Sequence, residues 1–264
     1  MEIREEYLTR YILPLREGGS LPALAEASDG FKYVVKMGGA GHGHKALISE
    51  MIGGLVAKAF KFKVPELVLL HLDSVFGITE PDEEVQELLR KSEGLNLGLH
   101  FLEGAATFDP VVNHVDGLTA SKLVWMDAFL TNVDRTRLNP NMMIWHNELW
   151  LIDHGASLYF HHSWRDPEKA ASDPFPYIKT HVLLPLADRL EEADKLMRQA
   201  ITPRTLSKIV DMIPEEWLVE PDSEISPDER RKAYGKFLTD RLAQSKIFVD
   251  EAIRQRDMII KSTR

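Results

Sequence analysis

The chain has 264 residues and a mass of 30.0 kDa, enough for one large domain or two units sharing a cleft. Lys and Arg total 32 against 41 Asp and Glu, and the resulting net charge of -9 argues against a surface that holds nucleic acid by neutralising phosphates. Cysteine is absent, which excludes disulfides, thiolate zinc sites, iron–sulfur clusters and a cysteine nucleophile, while the charged start MEIREEYLTR and the lack of a long apolar run predict a cytoplasmic protein with no membrane partner.

In chain order, the first hundred residues read as strands around one helix and the remainder as helices. The apolar runs Tyr11 to Leu15, Leu21 to Ala27 and Phe31 to Met37 predict three antiparallel strands, the last two joined by a tight turn at Ser28-Asp29-Gly30. From Lys45 to Phe60, Ile48, Met51, Ile52, Leu55, Val56 and Ala59 recur at helical spacing. A strand over Leu67 to Leu72, an acidic surface helix within Thr79 to Glu93 and an apolar run over Gly98 to Leu102 follow, with a linker at Glu103-Gly104-Ala105. Leu118 to Leu130 predicts a helix, and Asn141 to Trp145 with Glu148 to Ile152 a small hairpin turning at His146-Asn147. Beyond Leu183 the pattern is helical over Asp188 to Ala200, Pro203 to Met212 and Pro227 to about Ser262, the last opened by the capping sequence Ser226-Pro227-Asp228-Glu229.

Chemistry concentrates in two short stretches. Asp134 and Asn139 lie five positions apart in NVDRTRLNPN, and Asp153 follows the second strand of the hairpin in LIDHG. Phosphoryl transfer needs such groups: a carboxylate to orient or deprotonate the attacking hydroxyl, and hard oxygen ligands for the magnesium that neutralises phosphate. Alone the spacing is a weak pattern, and the plainer reading makes them turn and cap residues; what sets it apart is its context, a helix, a loop, a hairpin and Asp-His-Gly in succession. Lys36 stands in an otherwise apolar strand, where a charge is costly unless paired, and Glu50 lies in the next helix beside its apolar stripe. Gly18-Gly19-Ser20, between the first two strands, allows backbone amides to approach phosphate or forms an ordinary turn. Gly38 to Gly43 is a competing glycine-rich loop opening a helix, and Lys45 a weaker substitute for Lys36. His146, His154, His161 and His162 show no metal-ligand spacing, and Ser157, Ser163 and Ser172 lie after Asp153 in a polar segment.

Through REGGSLPALAEA, FKYVVKMGGAGHGHKALISE, NLGLHFLEGA, DAFLTNVDRTRLNPN and LWLIDHGASLYFHH, from about Leu13 to His162, the chain resembles the HipA-like kinases, a bacterial branch of the protein-kinase-like superfamily related to phosphoinositide kinases. The resemblance implies an α+β, two-lobed protein-kinase-like fold: residues 1–104 an N-terminal antiparallel sheet with one main helix, residues 105–264 a mostly helical lobe with the catalytic and metal-binding loops. It implies ATP and Mg2+ in the cleft and transfer of the γ-phosphate to a hydroxyl, most often a protein serine or threonine, and leaves room for a regulatory partner protein. Carried over by residue, Asp134 is the base, Asn139 and Asp153 hold magnesium, Lys36 holds phosphate with Glu50 as its partner, Gly18, Gly19 and Ser20 cover the phosphates, and Leu99, Phe101, Leu102 and Glu103 supply the hinge for adenine. Two departures stand out: Asn132-Val133 precedes Asp134 in place of His-Arg, and His154 replaces Phe after Asp153. Transfer to a small molecule or lipid headgroup, transfer of AMP, and a nucleotide-binding module without catalysis are the alternatives.

Overall fold

The computed structural model describes residues 2–15, 22–76, 81–162, 164, 166–220 and 223–262. Five strands, β1 (Arg4–Pro14), β2 (Ala23–Ala27), β3 (Lys32–Lys36), β4 (Leu67–Leu72) and β5 (Gly94–His100), close into a barrel in the order β1-β2-β3-β5-β4. The β2–β3 hairpin turns where the sequence places it, with Gly30 at φ +80 and the Phe31 N–H donating to Asp29 Oδ1 at 3.0 Å.

The expectation of a purely antiparallel sheet needs correcting, because Arg4 to Tyr7 of β1 pair in parallel with Val68 to His71 of β4. Only the second half of β1 pairs with β2, and the register shifts at Leu8/Arg10 and Tyr11/Leu13 let one strand serve both neighbours. Its first half is too polar to read as a strand: REEY carries an ion-pair network, with Arg4 bonded to Glu66 at 3.0 Å and to Asp29 at 3.1 Å.

Two apolar clusters organise the protein. One fills the barrel with Tyr33, Val35, Met37, Val68 and Leu70. The other begins on α1 (Gly43–Ala59) and runs through α3 (Gly117–Leu130) to the C-terminal helices. Side chains alternate across a strand, so β3 sends Tyr33 and Val35 into the barrel and leaves Val34 packed on the α1 side, the face that Lys36 shares.

Between the barrel strands, α2 (Glu83–Lys91) is capped by Asp82, whose carboxylate accepts from Glu84 and Val85 N–H groups. After β5, β6 (Ala106–Thr107), β7 (Met142–Trp145) and β8 (Glu148–Leu151) form a small sheet carrying the predicted hairpin. The helices α4 (Pro167–Ala171), α5 (Leu190–Ala200), α6 (Pro203–Asp211), α7 (Glu215–Leu218), α8 (Pro227–Ala243) and α9 (Ser245–Ser262) complete the chain. The predicted capping box opens α8, but the single helix expected over Pro227 to Ser262 is broken at Gln244. No Gly or Pro marks that break; Gln244 instead accepts a bond from Ser172 at 3.0 Å and Ser245 is buried, so tertiary packing sets it. No described helix is long and apolar enough to cross a membrane.

Candidate active site

The segment expected to carry the chemistry starts where α3 ends. Thr131 takes a left-handed conformation at φ 54, and the chain leaves the helix to run through Asn132, Asp134 and Arg135. Asp127, one turn earlier and fully buried on α3, receives Arg135 Nε at 2.5 Å, His181 Nε2 at 2.9 Å and Asn132 Nδ2 at 3.1 Å. The Leu183 N–H donates to His181 Nδ1, which assigns the proton to Nε2 and makes it the donor to Asp127. Burial alone would push the Asp127 carboxyl up, but the charges and hydrogen bonds of Arg135 and His181 hold it well below the usual carboxylate range. The Arg135 guanidinium also donates to the Asn141 carbonyl, tying the loop to the start of β7. A further buried arginine, Arg241 of α8, donates to the Ala128 carbonyl at 2.7 Å, satisfying the end of α3 from the opposite side.

On this base sits the open part of the site. Asp134 is half-buried; its N–H donates to Asn132 Oδ1, and its Oδ2 accepts from Asn139 Nδ2 at 2.8 Å and from Asn141 Nδ2 at 3.4 Å. Partial burial and the nearby charge of Asp153 raise its carboxyl above the ordinary value, against the pull of those amides. Asp153, at φ 52, pairs with Lys36 Nζ at 2.9 Å, and Lys36 lies 3.9 Å from Glu50 Oε2. Burial works against both charged forms, but the ion pair holds the Lys36 ammonium up and the Asp153 carboxyl down. Glu50 is buried on α1, and its Oε2 also accepts the His154 N–H at 2.9 Å. Lys36, Glu50, Asp134, Asn139 and Asp153, spread over more than a hundred residues of sequence, therefore form one cluster.

The stretch expected as the hinge follows β5, which pairs with β3, the strand that carries Lys36. Leu99 and Leu102 are buried, the Phe101 N–H is bonded to the Lys32 carbonyl at 2.9 Å, and the Glu103 carbonyl accepts Trp145 Nε1 at 3.0 Å. Gly18, Gly19 and Ser20 lie outside the described residues. In the competing loop, the Gly38 N–H is bonded to Asn96 and that of Gly39 to Ser92, so these amides are already used. Lys45 pairs with Glu220 at 2.9 Å. His161 is buried against the Tyr234 hydroxyl, and no three acidic or histidine side chains among the described residues could jointly hold a metal. Ser157 is buried, Ser172 is bonded to Gln244, and Ser163 lies outside the described residues.

Sequence reasoning missed Asp127, Asn141, His181 and Arg241. Asp127 carried a signal, a carboxylate inside the apolar helix LVWMDAFL, but its partner His181 is visible only in three dimensions.

A family model described as HipA-like kinase matches residues 9–246. The chain belongs to that family. This HipA-like kinase is similar in structure to the Helicobacter pylori proinflammatory kinase CtkA, with a TM-score of 0.58 and 12% identity over 97% of this chain and 99% of that one. The likeness extends the kinase-like α+β fold over nearly the whole chain. A Golgi casein kinase solved with Mn/ADP bound gives a TM-score of 0.49 at 11% identity, covering 96% of this chain and 74% of that one. No curated protein matches the chain.

Proposed function

We propose that this HipA-like kinase transfers the γ-phosphate of ATP to a serine or threonine hydroxyl of a protein, with Mg2+, in a cleft between an N-terminal lobe of residues 1–104 and a C-terminal lobe of residues 105–264. The observation that carries the reading is Asp134: a half-buried carboxylate with a raised pKa, steadied by two amides and placed beside the Lys36–Asp153 pair. A base of that kind accepts the proton of a hydroxyl as its oxygen attacks the γ-phosphorus, and the bond to the β–γ bridging oxygen breaks to release ADP.

The donor set suits magnesium. Asn139 gives its amide nitrogen to Asp134, leaving the carbonyl oxygen as its remaining donor atom, and Asp153 supplies one carboxylate. When bound, the cation would neutralise phosphate charge. Lys36 is held in reach of the same phosphates by Asp153 and Glu50, and Leu99 to Glu103 offer backbone groups to the adenine. Gly18, Gly19 and Ser20 remain assigned to the phosphate-covering loop.

The test is incubation of the purified chain with ATP labelled at the γ-position and a lysate of its host. Label on protein serine or threonine is the expected result. Label confined to small molecules or lipid would move the acceptor to that class, label transferred only from the α-position would make the chain an AMP transferase, and nucleotide binding without any transfer would leave a binding module.

A further inference from the structure

Strand β5 is attached to the helical part of the chain at both of its ends. At one end His100 leads into residues 101–105, the covalent connection. At the other, β3 pairs with β5 only as far as Lys36 opposite Leu97, and beyond that point α7 takes hold of the backbone. The Leu95 N–H donates to Glu216 Oε1 at 3.1 Å, and the Leu95 carbonyl accepts Trp217 Nε1 at 2.9 Å. Two consecutive side chains of α7 thus do for Leu95 what a neighbouring strand would do. Trp217 is buried and Glu216 is exposed.

Both sides of this junction are anchored. On the strand side, buried Asn96 donates to the Ser92 and Gly94 carbonyls and accepts the Gly38 N–H, tying the start of β5 to the end of α2 and to the loop before α1. On the helical side, Arg231 of α8 donates to the Val210 and Ile213 carbonyls just before α7. Glu220, just after α7, pairs with Arg230 of α8 at 2.7 Å and, across the junction, with Lys45 at the start of α1 at 2.9 Å.

The seven residues of β5 span about 20 Å. A rotation of about 10° at residues 101–105 would therefore carry Leu95 by about 3 Å, enough to break both of its bonds to α7. We infer, on the basis of the two-lobed reading with nucleotide between the lobes, that α7 is a latch: Glu216 and Trp217 hold the lobes together through Leu95, and nucleotide enters and leaves only while that latch is open. Control of nucleotide exchange then lies at the end of β5 away from Leu99 and the adenine stretch, in side chains that no step of phosphate transfer uses.

The test is release of methylanthraniloyl-ADP from the full chain with Mg2+, followed by stopped-flow fluorescence after mixing with excess unlabelled ADP. Glu216→Ala and Trp217→Phe each remove one bond to Leu95, the second while keeping an aromatic ring in the core. Each should quicken release about fivefold, the change expected for one lost hydrogen bond. Association should quicken by the same factor and leave the equilibrium affinity within about twofold, because a latch gates entry and exit alike. Glu216→Gln keeps a carbonyl acceptor and should restore the wild-type rates. Glu215→Ala takes the same charge from the same helix without touching either bond to Leu95, and should leave the rates unchanged. Since Glu216 is exposed, its variants carry the test if Trp217→Phe does not fold.

Unchanged rates in Glu216→Ala, or the same acceleration in Glu215→Ala, overturn the inference. So does a loss of affinity with unchanged association, which would make α7 a support of the nucleotide site and no gate. A wild-type chain that binds no nucleotide would instead remove the reading of the cleft. Amide exchange at Ala105, whose N–H is bonded to the Leu102 carbonyl at 3.1 Å, then decides whether α7 restrains the connection: it should quicken in Glu216→Ala and not in Glu215→Ala, and equal exchange in the two ends the latch.

Discussion

Two clusters of charge lie within a few residues of each other in this kinase, and they are built in opposite ways. Around Asp127 everything is buried and paired: Arg135, His181 and Asn132 surround one carboxylate whose pKa is driven down. Around Asp134 the acid is half-buried and faces a second carboxylate, and that burial and charge drive its pKa up against the pull of two neutral amides. The first arrangement spends its charges on holding a loop in place. The second leaves an acid ready to take a proton. Distance in sequence does not separate them, since Asp127 and Asp134 stand on the two sides of one helix end; solvent access and the charge of the partners do.

The comparison can be broken most directly at Asp134. Asp134→Asn should lower phosphate transfer by about 10²–10⁴-fold while melting temperature and nucleotide affinity hold, measured with labelled ATP and by thermal denaturation. Asp127→Ala should do the reverse. Removing one partner of a buried pair strands Arg135, and the expected loss is about 3–5 kcal/mol of stability in urea titration. If Asp127→Ala left stability intact and abolished only transfer, the division into support and chemistry would fail.

Acid offers a subtler separation. Asp134 has a raised pKa, so as pH falls it takes up a proton above the range where an ordinary aspartate would, and transfer is lost on that limb. Asp127 has a depressed pKa; its contribution to stability is present above the unfolded value and disappears only as pH falls through the much lower folded value. A pH series of initial rates beside near-ultraviolet circular dichroism should therefore show activity lost while tertiary structure remains. Coincident loss would mean that the fold, and not Asp134, sets the acid limit. At the small end, Arg189→Gln deletes the exposed Arg189–Glu192 pair, whose nitrogen and oxygen lie 2.6 Å apart. The expected change is below about 1 kcal/mol, because water already solvates both charges.

The legibility of the site follows the same division. Lys36 draws attention as a charge in an apolar strand, Asp134, Asn139 and Asp153 by their place in the succession of helix, loop and hairpin, and Glu50 through the resemblance, and the structure brings the five side chains close together. The supporting residues were not legible. The partnership of Asp127 with His181 depends on a crossing of segments 54 residues apart. In the fold, the β2–β3 hairpin and the capping box of α8 were legible because turn and cap chemistry is local. The β1–β4 pairing and the break at Gln244 were not, since polar side chains in the first and ordinary helix formers in the second carry no local signal.

The parallel closure of the barrel also constrains the order in which the protein can assemble. Neighbouring strands β2 and β3 can zip through a short turn, but the parallel ladder of Arg4 to Tyr7 forms only when Val68 to His71 arrive from beyond α1. That rendezvous carries the loop-closure entropy of everything between. The β3 strand bearing Lys36 likewise waits for β5, so this lysine gains its final setting only when β5 has been laid down beside β3. Slow steps in refolding should accordingly show first in the barrel, and helices around α3 should acquire protection before the strands that face them.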